Sequence, residues 1–150
     1  METRATVTLA APAAVVYDAI ADLGGYPAWS RIVHSVESAG RGDGDGPAWT
    51  VDLRAGVGPL TRSKRLRMVR VVDDRPSRCV LERRELDGRQ HSVWRLSCEV
   101  LDRGDTAELA MHLHYGGRLW TGGALQRILD QEITDAARRL RSLIESAPTP

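Results

Sequence analysis

Apolar and polar positions alternate near the start of the chain. Ala5, Val7 and Leu9 are apolar with Thr6 and Thr8 between them, so residues 5–9 read as a half-buried β-strand. Pro12 stands where a first helical turn tolerates proline, and Val15, Val16, Ala19, Ile20 and Leu23 recur at helical spacing. Gly24-Gly25 ends that run, and Tyr26-Pro27-Ala28-Trp29 opens a second short helix. From Trp49 to Tyr115 the pattern is strand-like almost throughout. Asp87-Gly88, between two alternating runs, predicts a two-residue hairpin turn. That turn sets Arg83 opposite Ser92, Leu81 opposite Trp94 and Cys79 opposite Leu96. Cys79, Leu81, Trp94, Leu96 and Cys98 then share an apolar face, while Glu82, Arg84, His91 and Arg95 take the other. A second turn at Arg103-Gly104, with Asp102 opposite Asp105, sets Leu96 against Met111, Trp94 against Leu113 and Ser92 against Tyr115. Both hairpins choose the same inner face for their shared strand, and they turn His91, His112 and His114 outward.

The last element spans about residues 119–144. Leu125, Ile128, Leu129, Ile133, Ala136, Leu140, Leu143 and Ile144 form one apolar stripe on a helix roughly 30 Å long. Arg138, Arg139 and Arg141 suit the negative end of its dipole. The order is therefore strand, two short helices, about six strands and a long helix. A curved antiparallel sheet of about seven strands wrapped around the C-terminal helix, an α+β architecture, satisfies it because each apolar face needs the other.

Composition narrows the class. A chain of 150 residues makes about one domain, expected over residues 1–146 with 147–150 as a flexible tail. A hydrophobic fraction of 42% and a charged fraction of 27% exclude a disordered chain and a disulfide-stapled miniature. No apolar run approaches the roughly 18 residues of a membrane span, and no signal-peptide core follows Met1, so a cytoplasmic protein without an integral membrane segment is expected. A net charge of +1 provides no field toward nucleic acid. Lys64 is the single lysine among 21 basic residues. Cys79 and Cys98 lack metal-ligand spacing and read as small buried hydrophobes. Gly40 to Pro47 reads as a mobile loop without the ligand set of a calcium site.

The run into Ala11-Pro12, then Val16-Tyr17-Asp18, Asp22 and Tyr26-Pro27-Ala28-Trp29, together with the amphipathic C-terminal helix, resembles the START-like superfamily. The resemblance covers nearly the whole chain and is to the bacterial polyketide cyclase/dehydrase and lipid-transport branch, also called SRPBCC. It implies the helix-grip fold, with a deep cavity between the sheet and the C-terminal helix for an apolar or aromatic small molecule. It does not imply a reaction, because carriers, receptors and enzymes share the fold.

Candidate site residues follow. Tyr26, Trp29, Trp49, Leu81, Trp94, Leu96, Met111, Leu113, Tyr115, Trp120, Leu125 and Leu129 are expected to line or close the cavity, with Tyr115 within reach of Ser92. The basic strand from Arg62 to Arg70 has two readings. If Val69 and Val71 pair inward against Leu81 and Cys79, then Ser63, Arg65 and Arg67 point inward and Arg83 joins them at one end of the cavity. A one-residue bulge would instead turn Leu66 and Met68 inward and send the arginines to solvent. Ser63-Lys64-Arg65 resembles the pocket strand of the family's aromatase/cyclases, in which an arginine two residues after a serine would stabilise an enolate. On that reading Arg65 is catalytic, and Tyr115 or Tyr26 positions or shuttles protons. His112 and His114 share a face, but no Cys or carboxylate completes a metal site with them, so no metal is expected. His34, near the pocket mouth, is a further acid/base candidate. No nucleophile elbow, phosphate loop or dinucleotide fingerprint is present, and no cofactor is expected. The expected function is binding of a small hydrophobic molecule by a carrier or sensor, in a monomer or weak homodimer. The alternatives are a polyketide aromatase/cyclase or dehydratase, and an interaction protein with a closed core.

Overall fold

The structure is a computed structural model that describes residues 1–41, 46–57, 59–117 and 123–147. Trp120 and Gly122, and the last three residues of the expected tail, lie outside the described residues, as do residues 42–45 of the Gly-Asp loop.

Alternating sequence builds seven strands: β1 (Glu2–Leu9), β2 (Val33–Arg41), β3 (Pro47–Val57), β4 (Leu60–Asp74), β5 (Arg78–Arg83), β6 (Trp94–Asp102) and β7 (Ala107–Tyr115). They form one antiparallel sheet in the order β1-β7-β6-β5-β4-β3-β2. The chain closes this order by leaving β1 through α1 (Ala13–Ala21) and a 3-10 helix (Leu23–Ala28) to start β2 at the opposite edge. The long helix α2 (Gly123–Glu145) buries Leu125, Leu129, Ile133, Ala136, Ala137 and Leu140 across the concave face, against β1 and β3. Leu143, expected in that stripe, is exposed near the helix end. Helix α1 packs on β5, β6 and β7 through Val16, Tyr17 and Ile20, so two helices share the inner face of one sheet.

Both hairpin registers lie two residues from their expected positions. Leu81 pairs with Leu96 and Cys79 with Cys98, while Trp94 pairs with Tyr115 and Cys98 with Met111. Asp87-Gly88 does turn the chain, with Gly88 at φ +72°. The turn is closed locally, however, because the Asp87 carboxylate accepts from the Arg89 N–H at 3.0 Å and meets His91 Nε2 at 2.8 Å. Strand β5 therefore ends at Arg83 and β6 begins at Trp94, with Glu82–Arg95 as their last pair. A slip of two residues leaves every side chain on its face, so the inner face is the expected one. His112 and His114 stand on the outer face of β7, beside Glu2 and Arg95.

The ambiguity of β4 is resolved by a bulge. Arg70 pairs with Leu81, but Val72 pairs with Val80, so Val71 is an extra residue in the ladder. With that extra residue, Leu66 and Met68 face inward and are buried. Ser63, Arg65 and Arg67 point to the outer side, opposite Arg54, Asp52 and Thr50 of β3.

Candidate ligand cavity

The Tyr-Pro-x-Trp element forms the upper wall of a hollow between sheet and helix. Asp22 caps the 3-10 helix by accepting from the Gly24 N–H at 2.9 Å. Tyr26 is then held by its hydroxyl, which donates to the Ile20 carbonyl at 2.7 Å, and its ring lies 4.3 Å from that of Trp29. Both rings face a cavity of about 120 Å3. Val51 and Leu53 of β3, Leu66 and Met68 of β4, Leu81 of β5, Trp94 and Leu96 of β6 and Met111 and Leu113 of β7 form its floor. Leu129, Ile133 and Ala136 of α2 form the opposite wall, with Leu23, Ile32 and Val33 beside the Tyr26–Trp29 pair.

The volume bounds the occupant. An apolar cavity of about 150 Å3 is dry and takes a ligand the size of benzene, so this hollow fits one ring or a short alkyl chain as it stands.

Glu132 and Ser30 are the polar members of the lining. Glu132 projects from α2, with its side chain 12% exposed. Its carboxylate is paired with Arg139, one oxygen accepting from the guanidinium at 3.0 Å. Arg139 also donates through Nε to the Trp29 carbonyl at 2.8 Å, which ties α2 to the end of the Tyr-Pro-x-Trp element. Burial raises the Glu132 pKa above the usual carboxylate value, and Arg139 offsets only part of that effect. Sequence reading missed Glu132. Its position between Leu129 and Ile133, one step from the apolar stripe, was the available signal.

Of the expected lining residues, Tyr26, Trp29, Leu81, Trp94, Leu96, Met111, Leu113 and Leu129 meet in the cavity. Trp49 and Leu125 are buried in the core but do not line it. Tyr115 is buried with its hydroxyl donating to Gln126 Oε1 at 2.9 Å, and it too is absent from the lining. Arg65 is exposed on the outer side, beside a shallow groove that it shares with Arg67, Glu85 and Asp87. Arg67 donates to the Arg84 carbonyl at 2.8 Å. The β4 bulge thus removes Ser63, Arg65 and Arg67 from the cavity, and with them the enolate-holding arrangement expected of Arg65. Arg83 remains on the inner face, where it meets Ser92 and Glu85. His34 is exposed.

The two thiols are unsuited to chemistry. Cys79 and Cys98 are free, buried and directly opposed across β5 and β6. Burial pushes the Cys79 thiol up to about 11 and the Cys98 thiol up as well. Among the described residues, no helix is long and apolar enough to cross a membrane.

Comparison with known proteins agrees with this geometry. The family model for polyketide cyclase/dehydrase and lipid transport matches residues 1–145. A START superfamily protein from Mycobacterium smegmatis superposes with a TM-score of 0.70 at 17% identity, covering 96% of this chain and 97% of that one. A Thermus thermophilus protein gives 0.75 at 20% identity, covering 99% and 100%. An aromatase/cyclase from a Streptomyces species gives 0.69 at 17% identity, covering 97% and 93%. No curated protein matches the sequence. At these identities the superpositions establish the fold, and the match along almost all of the sequence places the chain in the polyketide cyclase/dehydrase and lipid transport family, with the helix-grip architecture of the START superfamily.

Proposed function

We propose that this protein is a carrier or sensor that holds a small hydrophobic molecule, aromatic or lipid-like, between its sheet and helix α2. The observation that carries this reading is the cavity of about 120 Å3 walled by aliphatic and aromatic side chains from the sheet, the 3-10 helix and α2. A core closed around nothing would fill such a space, because each missing contact forfeits packing energy. Few polar groups reach the space, so the driving force for binding is burial of apolar ligand surface, about 25 cal/mol per Å2.

A cyclase or dehydratase is the second reading. Glu132 favours it, as a carboxyl in the cavity wall whose pKa burial raises above the ordinary carboxylate value, the direction a general acid needs. Arg65 and Tyr115 do not contribute to that reading, since neither lines the cavity.

Native mass spectrometry of the protein purified from its own host, followed by organic extraction, tests both. A copurifying apolar or aromatic molecule at near-stoichiometric occupancy is the expected result. That molecule is then incubated with the wild type and Glu132→Gln. Its return unchanged from the wild type supports a carrier, and conversion that Glu132→Gln abolishes supports the enzyme. An empty protein that also fails to take up small aromatic compounds would overturn the ligand-binding reading.

A further inference from the structure

Lys64 and Arg83 stand on the inner face of the sheet at the edge of the cavity. Lys64 is the direct cross-strand partner of Leu53, and Arg83 of Met68; both partners line the cavity. Directly opposed residues place their Cβ atoms about 4.5–5.5 Å apart, so two cations adjoin the apolar wall.

Ser92 joins them. Its Oγ accepts from Lys64 Nζ at 3.2 Å and from Arg83 NH1 at 3.2 Å. Arg83 also donates to the Ser92 carbonyl at 3.3 Å and, through Nε, to Glu85 Oε2 at 2.7 Å. The same Glu85 oxygen accepts the Arg67 backbone N–H at 3.3 Å. The side chains of Arg83 and Glu85 are only 10% and 19% exposed.

The charges in this cluster do not balance. Two cations face one carboxylate, and that carboxylate is engaged by Arg83. Lys64 donates to a neutral hydroxyl and feels the Glu85 carboxylate through space, without a direct ion pair among the described residues. Burial and the neighbouring Arg83 lower the Lys64 pKa, and Glu85, already engaged by Arg83, offsets only part of that effect. Gly117 keeps this group approachable. It holds φ +119°, and a Cβ there would lie 3.1 Å from Lys64 Nζ and 3.2 Å from Ser92 Oγ. An L-side chain would therefore be strained at this position and would crowd the ammonium.

We propose that Lys64, Arg83 and Ser92 form an anion subsite on the rim of the cavity, and that the ligand is an amphipathic carboxylic acid whose apolar body fills the hollow. This rests on the ligand-binding reading above and adds the chemical class of the ligand. The cluster's single excess positive charge matches a carboxylate monoanion. A partly desolvated ammonium and guanidinium hold such a group by charge-assisted hydrogen bonds, which are stronger than neutral ones.

The test compares 4-phenylbutanoate with 4-phenylbutan-1-ol by isothermal titration calorimetry on the full chain at neutral pH. The two share one apolar body and differ in the headgroup. The acid should bind about tenfold or more tighter than the alcohol. Lys64→Met should bring the acid down to the alcohol's level, and Lys64→Arg should keep most of the advantage. If acid and alcohol bind wild-type protein alike, the subsite is overturned and the cavity reading stands. If Lys64→Met keeps the acid's advantage while folded by circular dichroism, the assignment to Lys64 is overturned. If neither compound binds the wild type, both the subsite and the cavity reading fall.

Discussion

Trp94 tests the placement of the cavity most directly. It is 4% exposed, lines the hollow, and sets its ring 5.6 Å from that of Tyr115 at 38°. Truncating a core aromatic to alanine costs about 3–5 kcal/mol, and an aromatic pair of this kind contributes about 0.5–1.5 kcal/mol beyond area burial. One side of the Trp94 ring faces space rather than packed atoms, so fewer dispersion contacts disappear there. Trp94→Ala is therefore expected at the low end, about 3 kcal/mol. For a domain of this length that loss lowers Tm by about 6–12 °C. Urea unfolding followed by far-ultraviolet circular dichroism measures it, since the substitution removes one fluorophore. The midpoint should fall with m unchanged, because native compactness is preserved. A loss well under 1 kcal/mol would refute the argument, because it would mean that Trp94 is not packed against Tyr115 and the sheet. The enlarged hollow should also admit a bulkier ring than the wild type accepts, which calorimetry with a two-ring ligand would show.

Filling the hollow is the converse perturbation. Ala136, 4% exposed on α2, lines it, and Ala136→Leu should change stability by less than about 2 kcal/mol, as added burial offsets strain. The same variant should lose at least about tenfold in affinity for the copurified molecule; unchanged affinity in a folded variant would contradict the site. Glu132 supplies a pH dependence. Its folded pKa is raised above the ordinary value of 4.5, so the folded chain keeps a proton that the unfolded chain has released. The stability this contributes is fully present below 4.5 and is lost as pH rises through the folded value. The stability of wild type relative to Glu132→Gln should therefore decline with rising pH across that window in urea titrations. A relative stability that climbs instead would show that Arg139, not burial, dominates the site.

The sequence by itself determined the architecture and the inner face. Alternation in β5, β6 and β7 selects one face for Cys79, Leu81, Trp94, Leu96 and Met111, and an even slip in register cannot change it. The stripe of α2 was legible for the same reason, since periodicity is a local property, while the Tyr26–Trp29 pair was legible through the resemblance that the Tyr-Pro-x-Trp element carries. Tertiary structure decided what periodicity leaves open. The Val71 bulge inverted β4 against the simple ladder, exchanging Arg65 and Arg67 for Leu66 and Met68 at the cavity wall, and nothing local to the strand fixes whether an extra residue is accommodated there. The β5–β6 register depended on the side-chain closure of the Asp87 turn rather than on the Asp-Gly pair alone, and the β6–β7 register on the loop between Asp102 and Ala107, where the Arg103 N–H donates to the Thr106 carbonyl. Glu132 became part of the cavity only when α2 crossed the sheet at an angle that tied Arg139 to the Trp29 carbonyl. Arg83 and Ser92 were already facing across the Asp87-Gly88 hairpin, but Lys64 lies on another strand, and only the folded sheet brings its ammonium to the hydroxyl that Arg83 also meets.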